Sequence, residues 1–359
     1  TIYSIGRTWL SRRAALVAVV IWYGSSSVGY LASSGKIDLA WAAFEILALL
    51  AFARWYFAPL GHADLRWLGT AGFFLGLSGG VKQASGFATV ILLIAIALRL
   101  WRNRARPSGE WWRSYAVFCL PVALSGLWIL RTYIMSGTLA FTGENLRGAT
   151  HITGLLHTLW DMSMLGNASS LEGPLGKSIG PTILATLPLL FAFRSVERRV
   201  WHILFFCCLI LILWFNGVQR ARHLLPTVAF LSLISGYVIN QLLRGRPWIG
   251  TTAVILTVTS LCLNLGTWVY TNIISLQRMP YVLGLQDMDS YLAANLSKSS
   301  WLPNHSIVTY AREHLPTDVQ IASLSVGGHD YYVERPIYSV WNQTPREFAN
   351  PDSFVRELR

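Results

Sequence analysis

Charged residues are scarce in this chain of 359 residues, and their scarcity decides its class. They make up 13% of the residues, against 53% hydrophobic residues, whereas a soluble globular domain carries about 25% charged residues. A water-soluble fold is therefore excluded. Cysteine is also rare: Cys119, Cys207, Cys208 and Cys262 all lie within apolar stretches, where a thiol behaves as a small apolar side chain. The cysteines thus carry no information about disulfides or metals.

Familiar motifs of soluble enzymes are absent as well. The sequence contains no glycine-rich phosphate loop, no zinc-type spacing of cysteine and histidine, and no Gly-x-Ser-x-Gly turn. His151 and His157 are six residues apart, which is a poor spacing for two ligands on one helix face, so we predict no metal site. Any chemistry must come from isolated polar residues, because charged groups at membrane depth are costly and usually face a cavity.

What the chain does contain is a series of apolar stretches. Because roughly 20 apolar residues cross the hydrocarbon core as a helix, we predict an all-α polytopic membrane protein with about nine transmembrane helices. The predicted spans are residues 13–31, 37–57, 67–80, 84–100, 114–134, 179–193, 200–215, 223–242 and 248–270.

Arginine distribution predicts which side of the membrane each loop faces. Arginines gather in every second gap between the stretches, and arginine-rich short loops mark the cytoplasmic side. Residues 135–178 and everything from residue 271 onward are then expected to be extracytoplasmic. Insertion bias and anionic lipids explain the net charge of +12, so we expect membrane lipids as partners and no nucleic acid.

The chain therefore divides into two predicted domains, a transmembrane domain of residues 1–270 and an extracytoplasmic domain of residues 271–359. In the second domain, residues 307–314 are helix-like, residues 319–325 alternate as a strand does, and Gly327-Gly328 breaks the pattern. This pattern predicts a small α/β module. Since the first residue is Thr1 and residues 3–7 read as the end of a preceding helix, we expect an N-terminal part to be missing.

Two acids and a lysine stand near the outer ends of predicted spans. Asp38 could act as a general base or help to hold a divalent cation, although an acid is also favoured at any helix N-terminus. Glu45 lies deeper in the same span and either lines the same cavity or faces another helix. Lys82 follows a glycine-rich run and precedes Gln83; it would suit a phosphate, and the alternative is a lysine reaching to the headgroups.

Basic residues mark two further outer positions. Arg131 lies near the outer end of its span, where it could clamp a phosphate or simply reach the headgroups. Arg220, Arg222 and His223 form a basic cluster on the side where few basic residues are expected. Such a cluster would suit a pyrophosphate or a lipid-linked phosphate leaving group, and the alternative is contact with anionic lipid. In the outer loop, Glu144 is a weaker candidate acid.

The order of these features resembles a known family. The matching stretches are Lys36-Ile-Asp38, the glycine-rich helix ending in Lys82, Trp128-Ile-Leu-Arg131-Thr, Arg220-Ala-Arg222-His223-Leu-Leu-Pro226, and Ala-Arg-Glu-His-Leu-Pro316-Thr-Asp318 followed by Tyr331-Tyr332-x-x-Arg335-Pro336. They resemble the GT-C membrane glycosyltransferases, and most of all the bacterial dolichyl-phosphate-mannose-protein mannosyltransferase-like group, which includes the lipid A aminoarabinose transferases.

The resemblance implies an inverting glycosyltransferase in a bacterial inner membrane. Such an enzyme moves a sugar from a polyprenyl-phosphate donor to a glycan, lipid or protein acceptor at the outer membrane face, with no required cofactor and with a divalent cation as an option. The charge on the leaving phosphate would be neutralised by Lys82, Arg131, Arg220 and Arg222, with His223. The catalytic carboxylate, which deprotonates the acceptor, would be Asp38 or Glu144. Lys36, Glu45 and Gln83 would line the cavity.

One departure from the family pattern and two other function classes stay open. Family members place an acid in a large first outer loop, which nothing here matches. Either that acid lies on a missing N-terminal part or this protein departs from the pattern. A transporter or flippase of lipid-linked sugars would also need outer basic residues, but it should show duplicated spans, and we see none. A non-catalytic membrane subunit would keep the topology and lose the acids.

Overall fold

The chain forms two compact units, residues 1–268 and residues 269–359. The computed structural model describes residues 1–33, 37–59, 64–102, 108–136, 152–164, 179–216, 221–270, 273, 278–296, 310, 312–316, 321–323 and 337–339. All statements below refer to these residues.

The described part of the first unit consists of helices. They are α1 (Ile2–Trp9), α2 (Arg12–Tyr23), α3 (Ser26–Ser33), α4 (Asp38–Tyr56), α5 (Leu65–Val81), α6 (Ser85–Arg102), α7 (Ser108–Ser136), α8 (Ile152–Met164), α9 (Pro181–Thr186), α10 (Arg198–Phe215), α11 (Leu225–Gly245) and α12 (Pro247–Val269). Two 3₁₀ turns, Leu187–Ala192 and Ala221–Leu224, continue α9 and precede α11.

Each predicted span overlaps a helix, but not every helix is long and apolar enough to cross a membrane. Five meet that requirement among the described residues: α4, α6, α10, α12 and the segment Ala221–Gly245. The helical polytopic class is thus confirmed, and the count of nine spans stays a prediction. The first span, residues 13–31, was predicted as one continuous helix, and that is wrong. It is broken between α2 and α3 with a bend of 68°, because Gly24 and Ser25 interrupt the helix.

Glycines let α5 approach α7 closely. A Cβ atom placed on Gly76 would lie 2.5 Å from the Pro121 carbonyl oxygen, and one on Gly72 would collide with the Phe118 carbonyl oxygen. Small residues are the usual means by which membrane helices bring their backbones together. Because the contacts advance along both helices in the same direction, α5 and α7 run parallel.

Helix α11 occupies the centre of the bundle. In the segment Ala221–Gly245, which contains α11, 94% of the apolar stretch is buried, whereas in α12 only 11% of the apolar stretch is buried. Gly236 of α11 packs directly on the backbone of Ala14 in α2, and the Trp22 indole donates a hydrogen bond to the Leu225 carbonyl at 3.4 Å. These two contacts show that α2 and α11 are antiparallel.

The described part of the second unit contains two short helices and a strand pair. Helix α13 covers Arg278–Val282, and α14 covers Met288–Leu296. Strands β1 (Ile321–Ser323) and β2 (Ile337–Ser339) pair in parallel, with Ile321 opposite Ile337. Strand β1 lies within the stretch in which the alternating pattern predicts a strand. An α/β module of residues 271–359 on the outer side of the membrane stays a prediction.

Candidate functional site at one end of the helix bundle

The direction of three helices defines the two ends of the bundle. Helix α4 begins at Asp38, and its far end meets the start of α10, where the Phe57 ring lies 5.2 Å from the His202 ring, centroid to centroid. Helix α10 then runs back beside α11, with the Cys207 thiol next to the Thr227 carbonyl. The start of α11 therefore lies at the same end as the start of α4. We call this the Asp38 end.

The opposite end carries most of the arginines. Arg54 stacks on Trp67, and the buried Arg99 donates hydrogen bonds to the carbonyls of Trp55 and Ala58. The arginines near this end, by the direction of their helices, also include Arg66, Arg102, Arg198, Arg199 and Arg244. The charge rule predicts that this end is cytoplasmic, and that the few polar groups at the Asp38 end face the outer side stays a prediction.

An ion pair between Asp38 and Lys82 lies at the centre of the candidate site. Asp38 is 4% exposed and is the first residue of α4, while Lys82 follows the last residue of α5. The Lys82 ammonium donates to Oδ1 of Asp38 and lies 5.1 Å from the centroid of the Trp41 ring. Each charge also complements its helix dipole, since an acid is favoured at an N-terminus and a base at a C-terminus.

A network of buried hydrogen bonds lies next to this ion pair. The Trp41 indole N–H donates to Ser85 Oγ at 2.8 Å, and Ser85 Oγ lies 2.8 Å from Ser78 Oγ. Ser78 in turn donates to the Trp41 carbonyl at 3.3 Å. The network ties the ends of α4, α5 and α6 together. Sequence reasoning missed it, although the serines on either side of Lys82 and the tryptophan one turn after Asp38 were available signals.

Glu45 lies about two turns further along α4 and is 3% exposed. Its Oε2 has no hydrogen-bond partner within the described residues. A buried carboxyl with an unpaired oxygen in a membrane span is costly, and a role for Glu45 in lining the cavity stays a prediction. Gln83, beside Lys82, is exposed.

The other basic candidates lie at the same end on different helices. Arg131 is exposed and stacks on Trp128 of its own helix at 5.1 Å. It lies at the Lys82 end because α5 and α7 are parallel. Arg222 and His223 are half-buried in the 3₁₀ turn before α11. A single pocket that holds Lys82, Arg131 and Arg222 together stays a prediction.

Three candidates fall outside the residues that the structure describes, namely Lys36, Glu144 and Arg220. Their proposed roles stay predictions. Across the described ranges, no three side chains of histidine, cysteine, aspartate or glutamate come together as a metal-binding group.

An apolar cavity of about 170 Å³ begins about one turn beyond Glu45. It lies between α4, α6 and α10 and is lined from Leu49 to Phe57 along α4. Its described lining residues are aliphatic or aromatic apart from His202. Phe205 and Ile94 line it and are 64% and 54% exposed, so the cavity reaches the surface that faces lipid. It is suited to a hydrocarbon chain.

Comparison with known proteins gives one informative likeness. No protein-family model and no curated protein sequence matches the chain. The structure is similar to the crystal structure of ArnT from Cupriavidus metallidurans bound to undecaprenyl phosphate, with a TM-score of 0.55 and 14% sequence identity. The likeness covers 98% of this chain and 71% of that chain. The chain therefore shares the polytopic membrane fold of ArnT.

Proposed function

We propose that the chain is a membrane glycosyltransferase of the GT-C type that moves a sugar from a polyprenyl-phosphate donor to an acceptor at the outer membrane face. The observation that carries the proposal is the ion pair of the buried Asp38 with the half-buried Lys82 at the arginine-poor end of the bundle. Its support is the fold shared with ArnT, which was crystallised with undecaprenyl phosphate. The apolar cavity below Glu45 has the lining that an isoprenoid chain requires.

The proposed reaction is an inverting displacement at the anomeric carbon. The acceptor oxygen or nitrogen forms a bond to that carbon, the bond from the carbon to the phosphate oxygen breaks, and the polyprenyl phosphate leaves with the electron pair. Lys82 neutralises the charge that grows on the phosphate, because a preorganised cation acts most strongly where charge develops. Arg131 and Arg222 stand at the same end to assist it.

Asp38 is the proposed base. As Lys82 turns from Asp38 to the phosphate, the carboxylate loses its partner and becomes able to accept the proton of the attacking hydroxyl or amine. Positioned general bases contribute about 10²- to 10⁴-fold to rates. In the proposed mechanism the Asp38–Lys82 ion pair belongs to the state before the donor binds.

The test measures sugar transfer by the full chain in proteoliposomes. Radiolabelled undecaprenyl-phosphate sugars, one pentose and one hexose, are offered together with a membrane extract as acceptor. We expect Asp38→Asn to lower the rate by roughly 100-fold or more, and Lys82→Met to lower it similarly. Asp64→Asn is the matched control, because Asp64 caps α5 at the arginine-rich end and asparagine caps a helix equally well.

Two outcomes would contradict the proposal. The first is an Asp38→Asn variant that transfers as fast as the wild type. The second is label that crosses into the vesicle lumen without forming a covalent product, since that result would indicate a transporter.

A further inference from the structure

Ser85, the first residue of α6, is the meeting point of the buried hydrogen bonds beside the Asp38–Lys82 ion pair. It is 1% exposed. Its Oγ accepts the Trp41 indole N–H at 2.8 Å and lies 2.8 Å from Ser78 Oγ and 3.0 Å from the Lys82 carbonyl oxygen. An indole has one donor and no acceptor, so the single polar group of Trp41 is committed to Ser85.

The bond to Ser85 fixes the orientation of the Trp41 ring. Trp41 is 1% exposed and lies on α4, whereas Ser85 lies on α6, so the ring is held from a neighbouring helix. A buried N–H that loses its acceptor is costly, which opposes any rotation of the ring away from Ser85. The ring therefore forms a rigid wall next to the ion pair.

The fixed ring contacts the Lys82 ammonium. The ammonium lies 5.1 Å from the centroid of the Trp41 ring, within the distance of about 6 Å at which a cation is attracted to an aromatic face. This attraction occupies none of the three N–H donors of the ammonium, and Oδ1 of Asp38 accepts from one of them. Asp38 and Trp41 thus attract the ammonium in two different ways.

The proposed reaction requires the first of these partners to change while the second stays. Lys82 turns from Asp38 to the phosphate on a flexible four-carbon stem, which by itself allows the ammonium many positions. Contact with the Trp41 ring can persist during that turn, because it does not depend on which N–H group points to the carboxylate or to the phosphate. A cation that is held in place acts most strongly on developing charge.

We propose that Ser85 is a positioning residue: by holding the Trp41 ring, it keeps the Lys82 ammonium against that ring while the ammonium passes from Asp38 to the donor phosphate. Ser85 is too deeply buried to touch the donor itself, so it acts through Trp41. The role in sugar transfer rests on the proposed function, whereas the action of Ser85 on Lys82 through Trp41 does not.

The first test is NMR spectroscopy of the full chain in bicelles, with ¹³C incorporated only at lysine. The chain has four lysines, and the signal that disappears in Lys82→Met belongs to Lys82. An aromatic ring lowers the chemical shift of protons above its face, so we expect the Lys82 Hε protons at a lower chemical shift than those of the other lysines. Ser85→Ala should lose most of that difference, and a Lys82 signal that stays at its wild-type position would overturn the proposal.

A second substitution tests whether Ser85 acts through Trp41. Trp41→Phe keeps an aromatic ring and removes the N–H, so Ser85→Ala should move the Lys82 signal in the wild-type background and scarcely move it in the Trp41→Phe background. The control is Ser232→Ala, because Ser232 is 0% exposed and donates to the Val228 carbonyl on another helix, α11. Equal shifts in both backgrounds, or an equal shift in the control, would overturn the proposal. If Ser85→Ala does not fold, Ser85→Cys replaces it, since a thiol of similar shape is only a weak acceptor.

Transfer kinetics separate this proposal from the proposed function. In the proteoliposome assay we expect Ser85→Ala to lower kcat by about ten-fold with little change in the KM for the acceptor, because Ser85 touches no substrate. An unchanged kcat would keep the transferase and remove the positioning role. A Lys82 signal that moves in Ser85→Ala, with no sugar transfer by the wild type, would keep the action of Ser85 on Lys82 and remove the glycosyltransferase function.

Discussion

Replacing Gly76 by alanine tests how closely α5 and α7 must pack. The added Cβ would lie 2.5 Å from the Pro121 carbonyl oxygen, whereas ordinary van der Waals contact begins at 3.4 Å. The helices must therefore separate by about 1 Å locally, since backbone atoms cannot rotate away as a flexible side chain does. Overpacking of this kind costs about 1–3 kcal/mol, and the better helix propensity of alanine returns up to about 1 kcal/mol.

We accordingly expect Gly76→Ala to lower the free energy of unfolding by about 1–2 kcal/mol. The matched control is Gly80→Ala on the same helix, because a Cβ at Gly80 meets nothing within 4 Å. That control should be neutral or stabilise the protein by up to about 1 kcal/mol. Denaturant titration of the purified chain in bicelles, followed by tryptophan fluorescence, measures both values. Equal changes of the same sign for the two variants would refute the close approach of α5 and α7.

Two further predictions concern other parts of the chain. Arg99→Ala should destabilise the first unit by about 2–3 kcal/mol, because it removes the hydrogen bonds from a buried guanidinium to the carbonyls of Trp55 and Ala58. Arg102→Ala, at an exposed position, should change stability by less than about 0.5 kcal/mol in the same denaturant titration. At the start of α14, hydrogen bonds from the side chain and backbone of Ser290 lower the pKa of the Asp287 carboxyl below its ordinary 3.8. A lowered folded pKa means that the stabilisation is present above pH 3.8 and is lost as the pH falls through the folded value. As the pH falls through the folded pKa, the hydrogen-exchange protection factors of α14 should therefore decrease more in the wild type than in Asp287→Asn. Identical pH profiles of protection for the two proteins would contradict a stabilising bond between Asp287 and Ser290.

The positions of the helices could be predicted from the sequence because lipid requires every backbone polar group to be satisfied within its own segment. The prediction of a span over residues 37–57, for example, differs from α4, Asp38–Tyr56, only at its ends. The break between α2 and α3 was missed because hydropathy is averaged over a long window, in which Gly24 and Ser25 scarcely lower the mean of their apolar neighbours.

The candidate site could be predicted only as separate residues. Asp38 and Lys82 were both candidates, but their pairing depends on the antiparallel packing of α4 on α5, which no local pattern specifies. The hydrogen-bond network of Trp41, Ser78 and Ser85 was missed for a different reason. Serine and tryptophan are ordinary residues in membrane helices, and only their contacts across three helices distinguish them.

The burial of α11 on nearly every side has a consequence for assembly during synthesis. A helix with no lipid-facing stripe has no stable position of its own at the edge of a partly built bundle. The α2 and α4 segments leave the ribosome well before α11 does, yet both pack against it. The faces of α2 and α4 that pack against α11 therefore stay exposed to lipid until residues 225–245 are inserted, and the bundle completes its packing only then.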